Sequence, residues 1–181
     1  MGRHKTIDRN HVLEVAEEII GSRGAAALTI DAVAKAAGIT KGGVQSCFGT
    51  KEVLIAAMLK RWIGDYEQQF DKIAGEGATP VERVAAHVET THRHDDGSHS
   101  RVVGLLAALL QTPEHLAETR HWYERRLDGL DLNTDEARRA RLAFLATEGV
   151  VLLRFLGLVP LTSGQWDDIF KDIKTLIAEN A

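Results

Sequence analysis

One short polar stretch, TKGGVQSCF beginning at Thr40, carries the side chains best suited to contact a nucleic acid. Gln45 can form a bidentate pair with the edge of an adenine, and Thr40 and Lys41 stand at a predicted helix start, which suits a phosphate. Gly42 and Gly43 each cost a helix roughly 0.5–1 kcal/mol relative to alanine, so stability does not explain them. We interpret the stretch as a surface that approaches DNA closely; a solvated helix face of poor propensity is the alternative.

The segments around this stretch have the layout of a helix-turn-helix. Thr29 is a predicted cap for a two-turn helix, and Gly38 follows that helix, where a left-handed residue ends it at low cost. Thr40 then caps a second helix. Val44 and Phe48 lie four residues apart on one face of that helix, so they predict its core face and leave the polar side chains on the other.

Helix signals recur along the whole chain, whereas strand-like alternation is scarce. Apolar periodicity and caps predict about nine helices, at 7–22, 29–36, 40–46, 50–74, 80–93, 100–111, 113–130, 135–157 and 163–178. The expected fold class is therefore all-α. We expect an N-terminal three-helix helix-turn-helix domain over residues 1–50 and a helical ligand-binding and dimerisation domain over residues 51–181.

Composition and charge are those of an ordinary globular protein with one basic end. Of 181 residues, 44% are hydrophobic, and no apolar run reaches the ~18 residues that span a bilayer. The single cysteine fits a reducing cytoplasm, where we expect the protein to act. Residues 1–61 carry nine Lys or Arg and six Asp or Glu, while residues 62–181 carry thirteen and twenty. A basic N-terminal region on an acidic body favours local attraction to a polyanion.

Residues 9–55 resemble the DNA-binding segment of the tetracycline-repressor (TetR) family of transcriptional regulators. The features shared with the family are a first helix ending in Arg23 and Gly24, a threonine before VAKAAGI, the start KGGV, and Phe48 followed by GTKEVL. The resemblance implies an all-helical regulator whose remaining residues form a regulatory body. It also implies a two-fold dimer made by the last two helices.

By position, the resemblance assigns Thr29 and Lys51 to phosphates on either side of a DNA groove. It lines the recognition helix with Thr40, Lys41, Gly43, Gln45 and Ser46, and Gly42 lies on the same polar face. Gln45 stands where the family usually has tyrosine, so we expect a base contact there in place of an aromatic phosphate contact. Arg3, His4 and Lys5 are an expected arm towards phosphate or the minor groove, with disorder as the alternative.

The later helices contain enough apolar and aromatic side chains to enclose a small molecule. The candidates are Trp62, Tyr66, Phe70, His87, Thr91, Leu106, Leu109, Leu110, Trp122 and Tyr123, each of which is otherwise plain core. Arg154 lies in the apolar segment VLLRFLG and requires a partner if buried. That partner is either Glu148, a group across the dimer, or an anionic ligand.

Two further features could carry chemistry but do not form a recognised site. Cys47 is interpreted as a small packing residue, with a nucleophile or redox sensor as the alternative. His87, His92, His94 and His99, with Asp95 and Asp96, lack the spacing of a metal-ligand face. We therefore predict no metal and no cofactor.

The sequence predicts a homodimeric transcriptional regulator, a repressor rather than an enzyme. It would bind a palindromic double-stranded DNA operator and be released by a small-molecule effector, without a membrane partner. Two alternatives remain at this point. One is a ligand-binding or interaction module that has lost DNA binding, and the other is a small helical enzyme using Cys47.

Overall fold

The computed structural model describes residues 7–93 and 113–178, and the regular structure in these ranges is helical throughout. The described helices are α1 (Arg9–Arg23), α2 (Ile30–Ala36), α3 (Lys41–Phe48), α4 (Lys51–Ala74), α5 (Pro80–Arg93), α6 (Pro113–Leu127), α7 (Asp135–Phe155) and α8 (Ser163–Ala178). A short 3-10 turn, Ala25–Ala27, follows α1. The all-α prediction is confirmed. Eight of the nine predicted helices are present within a few residues of their expected bounds, and the one predicted at 100–111 lies outside the described residues.

The described residues fall into two compact units, one formed by residues 7–63 and the other by residues 64–93 and 113–178. The division falls within α4, so this helix contributes residues to both units. The expected domain boundary at residue 50 falls directly before the start of that helix.

The first unit packs α1, α2 and α3 around the beginning of α4. Apolar side chains at three- and four-residue spacing form its core, because that spacing places them on one helix face. The most buried are Val12, Ala16, Ile19, Ile20, Leu28, Val33, Val44, Phe48, Leu54 and Met58. Each of these side chains larger than alanine contributes about 1.5–3 kcal/mol by leaving water.

Local sequence sets the bend between α2 and α3. The Thr29 hydroxyl accepts the Ala32 N–H at 3.0 Å and caps α2. Gly38 adopts φ +66°, which ends that helix, and the Ile39 N–H then donates to the Ala34 carbonyl at 3.0 Å. Thr40 caps α3 by accepting the Gly43 N–H at 3.0 Å. The predicted helix-turn-helix is confirmed.

The second unit packs α5, α6, α7 and α8 with the later part of α4. Its core is built from Val84, Val88, Ala140, Ala143, Phe144, Trp166, Phe170 and Ile173. A capping box begins α5, where the Thr79 N–H donates to Glu82 at 2.8 Å and the Glu82 N–H donates to Thr79 at 3.2 Å. The hydrogen bond from the Thr79 N–H, together with the Thr79 hydroxyl, lowers the pKa of the Glu82 carboxyl.

One face of α7 presents leucines to solvent in this single chain. Leu142, Leu145 and Leu152 of α7, and Leu156 directly after its last residue, are each about half exposed, at 55%, 55%, 48% and 51%. With Gly149 they follow a 3-4-3-4 spacing, the pattern of a seam between helices. Within residues 7–93 and 113–178, no helix combines the length and apolarity needed to cross a bilayer.

Candidate nucleic-acid interface and effector site

The polar face of α3 is exposed as the sequence predicts. Val44 and Phe48 are buried, with exposed fractions of 0% and 3%, so the opposite side of the helix faces solvent. Thr40, Lys41, Gln45 and Ser46 are all exposed. The structure thus brings these side chains together on one short surface, next to the N-terminal N–H groups of α3, where a phosphate is favoured.

Lys41 already has a carboxylate neighbour on α2. Its ammonium lies 3.2 Å from the Asp31 carboxylate, and the two side chains are 58% and 71% exposed. Exposed pairs of this kind are worth about 0–1 kcal/mol. A DNA phosphate can therefore replace Asp31 as the partner of Lys41 at small cost.

The two adjacent glycines of α3 have different surroundings. A Cβ at Gly42 would meet nothing closer than the Thr40 hydroxyl at 4.0 Å, so this position faces open space. A Cβ at Gly43 would lie 2.8 Å from Cδ1 of Ile7 and 3.3 Å from the Thr40 hydroxyl. Gly42 therefore leaves the outer face of α3 without a side chain, whereas Ile7, from the segment before α1, packs against Gly43.

The two residues assigned to phosphates both stand at helix starts in the first unit. Thr29 is exposed and caps α2, and its hydroxyl keeps an O–H to donate. Lys51 is the half-buried first residue of α4, directly after Thr50, whose hydroxyl accepts the Val53 N–H at 3.3 Å. Backbone and Thr50 hydrogen bonds lower the pKa of the neighbouring Glu52, so this helix start favours negative charge.

Arg9 contacts the C-terminal end of α3, a contact that sequence analysis missed. Its Nη1 donates to the Cys47 carbonyl, and its guanidinium lies 4.3 Å from the centre of the Phe48 ring. Cys47 itself is half-buried against the core of the first unit, which agrees with a packing residue. Only the proximity of Arg9 to a helix start was visible in the sequence. Arg3, His4 and Lys5 lie outside the described residues.

In the second unit, four of the predicted pocket residues meet in one buried polar cluster. The Tyr66 hydroxyl lies 2.8 Å from His87 Nδ1 and 3.0 Å from the Thr91 hydroxyl. The Trp122 ring packs against Tyr66 and His87, with centroids 5.6 and 5.9 Å away. All four residues are buried. Helices α4, α5 and α6 supply these side chains, so the cluster joins segments far apart in sequence.

Glu148 of α7 completes this cluster. One oxygen lies 2.8 Å from His87 Nε2, and the other accepts the Tyr123 hydroxyl at 2.7 Å. Because a carboxylate only accepts, we assign the His87 proton to Nε2 and let Nδ1 accept from Tyr66. Burial raises the pKa of Tyr66 and of Tyr123, and the Glu148 charge adds to both increases. Sequence analysis considered Glu148 only as a partner of Arg154.

A second charged group borders the aromatic side chains. Arg126 is 5% exposed, and its Nη2 donates to Glu67 at 2.6 Å while the Trp122 indole donates to the same oxygen. The guanidinium lies 3.8 Å from the Phe70 ring centre and 4.5 Å from Trp122. Phe70 therefore packs beneath a buried cation. Nothing in the sequence distinguished Arg126 from the other arginines of α6.

The remaining predicted pocket residues lie elsewhere in the described structure or outside it. Trp62 belongs to the first unit, and Arg154 is half-buried with its guanidinium 4.4 Å from the Trp166 ring centre. Leu106, Leu109 and Leu110 lie outside the described residues.

His92 is held by charged neighbours rather than by other histidines. Its Nε2 lies 2.8 Å from Asp167, and Nδ1 lies 2.8 Å from the Lys174 ammonium. In the part of the chain that the structure describes, no three His, Cys, Asp or Glu side chains are grouped to hold a metal ion. The other members of the predicted histidine-rich loop, His94, Asp95, Asp96 and His99, lie outside that part.

Two family models match the chain and together span both units. Residues 12–58 match the bacterial regulatory proteins of the tetR family. Residues 81–178, more than half of the chain, match the tetracyclin repressor-like C-terminal domain. The chain belongs to the TetR family. The N-terminal match covers most of α1, all of α2 and α3 and the start of α4, and the C-terminal match covers α5 to α8. The predicted membership of the TetR family is confirmed.

Individual relatives within the TetR family agree with this assignment. The HTH-type transcriptional regulator BetI of Rhizobium meliloti is 29% identical over 101 residues, which are 56% of this chain and 50% of that protein. The chain thus spans about half the length of that curated relative.

Two solved structures share the fold. A transcriptional regulator of Saccharomonospora viridis in complex with choline has a TM-score of 0.73 at 16% identity, covering 95% and 96% of the two chains. The regulator FadR of Bacillus subtilis in complex with stearoyl-CoA has a TM-score of 0.67 at 18% identity, covering 96% and 100%. These three proteins are described as regulators, not as enzymes.

Proposed function

We propose that this TetR-family chain is a DNA-binding transcriptional repressor that binds a palindromic operator as a homodimer and is released by a small-molecule effector. The observation that carries the proposal is the exposed polar face of α3. A capped helix start, the bare backbone at Gly42 and the exposed amide of Gln45 lie together there. The proposal includes no catalytic step, and it places the protein in the bacterial cytoplasm with its DNA.

The proposed DNA contacts divide into positioning and sequence recognition. Thr29, Lys51 and Lys41 would hold phosphates, since each stands at or beside a helix start that favours an anion. Gln45 would pair with an adenine, with Ser46 beside it. Gly42 lets the α3 backbone approach the groove, because no side chain stands out from it.

Dimerisation is proposed to use α7 and α8. The exposed leucines Leu142, Leu145, Leu152 and Leu156 form a continuous apolar seam. A second copy presents the same seam, so a two-fold pair buries both at once. Two copies would also place two α3 helices against the two half-sites of a palindrome.

The effector is proposed to act on the buried cluster around His87 and Glu148. Choline and stearoyl-CoA, the ligands of the two solved regulators, differ in charge and size, so they do not indicate one class of compound. Only an effector that prefers the state with weak DNA affinity can release the operator. Choline and stearoyl-CoA are suitable first probes of duplex release, and a probe that binds without changing duplex affinity would contradict the coupling.

The DNA proposal is tested by selecting duplexes from a randomised pool with the wild-type protein. We expect enrichment of an inverted repeat, bound as a dimer. Failure to enrich any sequence, together with equal affinity for all duplexes, would overturn specific DNA binding and favour an interaction module.

The dimer proposal is tested by sedimentation of Leu145→Asp. We expect this change to produce monomers that lose most affinity for the inverted repeat. Leu132→Asp is the matched control, because Leu132 is 41% exposed and lies outside the seam. A dimeric Leu145→Asp protein would place the interface elsewhere.

A further inference from the structure

Helix α3 is weak by its own composition and needs support from outside. It has eight residues, Lys41–Phe48, two of which are glycine. Helices of this length are marginal alone, and each glycine costs roughly 1 kcal/mol relative to alanine. A surface that must hold its side chains in register on DNA therefore depends on contacts made by other segments.

Arg9 supports the C-terminal end of α3. Its Nη1 donates to the Cys47 carbonyl, one of the carbonyls that the helix leaves without an internal partner. Its guanidinium carbon also lies over the Phe48 ring, 4.3 Å from the ring centre. A positive charge at this end is favourable for the helix dipole as well.

Ile7 supports the other half of the same helix. It lies two residues before Arg9, and its Cδ1 occupies the place that a side chain at Gly43 would take. A Cβ there would stand 2.8 Å from Ile7, closer than real Cβ atoms approach other atoms. The segment from Ile7 to Arg9 thus contacts α3 near both of its ends.

We propose that Ile7 and Arg9 are positioning residues for DNA recognition, and that Gly43 lacks a side chain so that Ile7 can pack against α3. They act through α3, whose orientation they fix, and Arg9 does so through its contacts with Cys47 and Phe48 rather than with a phosphate. This inference rests on the proposed DNA-binding role of α3. It assigns to the residues around the start of α1 a part in sequence selectivity.

The test for Arg9 uses the duplex that wild-type protein selects from a randomised pool and a scrambled duplex of the same composition. We expect Arg9→Ala to weaken binding to the selected duplex about tenfold, as for loss of one hydrogen bond from a charged group. Binding to the scrambled duplex and the salt slope should stay unchanged. Arg9→Lys keeps the charge but removes the guanidinium that contacts both Cys47 and Phe48, so we expect most of the same loss.

A direct phosphate contact predicts a different pattern and would overturn the assignment. Arg9→Ala would then weaken both duplexes equally and reduce the salt slope by about 0.9, while Arg9→Lys would resemble wild type. Unchanged affinity for the selected duplex in Arg9→Ala would also overturn it. All affinities are measured well below each variant's melting temperature, so a loss of stability alone leaves them unchanged.

The test for Ile7 is a double-mutant cycle with Gly43. We expect Gly43→Ala and Ile7→Ala each to weaken binding to the selected duplex, since the first displaces Ile7 and the second removes it. The double variant should bind no worse than Ile7→Ala alone, because the smaller side chain leaves room for the new Cβ.

If the two losses of duplex affinity multiply in the double variant, Gly43 and Ile7 act separately. That result would overturn the proposed contact between them as the cause. A wild-type protein that selects no duplex overturns the proposed function and this inference together. If the wild type selects a duplex and the Arg9 and Ile7 variants bind that duplex with unchanged affinity, only this inference is overturned.

Discussion

Replacing Gly42 with alanine should move stability and DNA affinity in opposite directions. Gly42 is the second residue of α3, and its added Cβ would meet nothing inside the protein closer than 4.0 Å. The folded chain therefore gains helix propensity without strain. The same methyl group stands on the face proposed to meet DNA, so it should hold the helix away from the groove.

The gain in folding stability and the loss of DNA affinity can be estimated separately. Glycine to alanine in a helix is worth about 1 kcal/mol, which raises the melting temperature by about 2–4 °C in a chain of this size. Moving the helix outwards lengthens the proposed Gln45 bonds beyond useful range. Loss of one bidentate base contact costs about 1–3 kcal/mol per half-site, on the order of a 5- to 150-fold loss of affinity.

Thermal unfolding and duplex titration of the same preparation measure both effects. Gly64→Ala is the control, because Gly64 lies within α4, away from the residues proposed to contact DNA and from α7 and α8, and an added Cβ there would meet nothing within 4 Å. It should raise the melting temperature similarly and leave duplex affinity unchanged. A stabilised Gly42→Ala protein with wild-type affinity would refute the idea that this glycine provides clearance for DNA.

Three further predictions concern single contacts. Lys51→Ala should weaken binding to every duplex and reduce the salt slope by about 0.9, measured by titration at several salt concentrations; an unchanged slope contradicts a phosphate contact. Gln45→Ala should cost about 1–3 kcal/mol on the selected duplex and relax preference at one base pair per half-site, whereas equal loss on scrambled DNA would mean a backbone contact. Tyr66 and Tyr123 are the only two tyrosines of the chain, and both have raised pKa values. A raised tyrosine pKa stabilises the fold at pH values below the unfolded-state pKa near 10, and this stabilisation is lost as the pH rises above that value. Absorbance at 295 nm and helical circular dichroism should therefore change together above about pH 10. Tyrosine ionisation that precedes the loss of helix would contradict their burial.

Local signals made the helices predictable from sequence. The threonine caps Thr29 and Thr40 form the expected bonds to the Ala32 and Gly43 N–H groups, and each depends only on residues three apart. The helix-turn-helix followed for the same reason, since its turn is set by one left-handed glycine and one apolar residue. Such features need no knowledge of distant segments.

Contacts between distant segments were harder to predict. Tyr66, His87 and Trp122 were chosen for aromatic or polar character, but their meeting point depends on how α4, α5 and α6 pack. Glu148 was considered as a partner for Arg154, yet its two oxygens accept from His87 and Tyr123. Periodicity identifies which face of a helix is buried, and it does not identify the partner across the core.

The glycine pair of α3 shows how this limit affects a functional argument. Sequence analysis treated Gly42 and Gly43 alike, as a bare surface for DNA, because both are adjacent and both weaken the helix. The structure separates them by the presence of Ile7, which precedes them by more than thirty residues and fills the space beside Gly43 alone. Only Gly42 then gives α3 room to approach DNA, while Gly43 permits the internal packing that keeps Gln45 in place. The same substitution at two neighbouring positions should therefore weaken DNA binding for two different reasons, and only the effect at Gly43 should depend on the side chain at position 7.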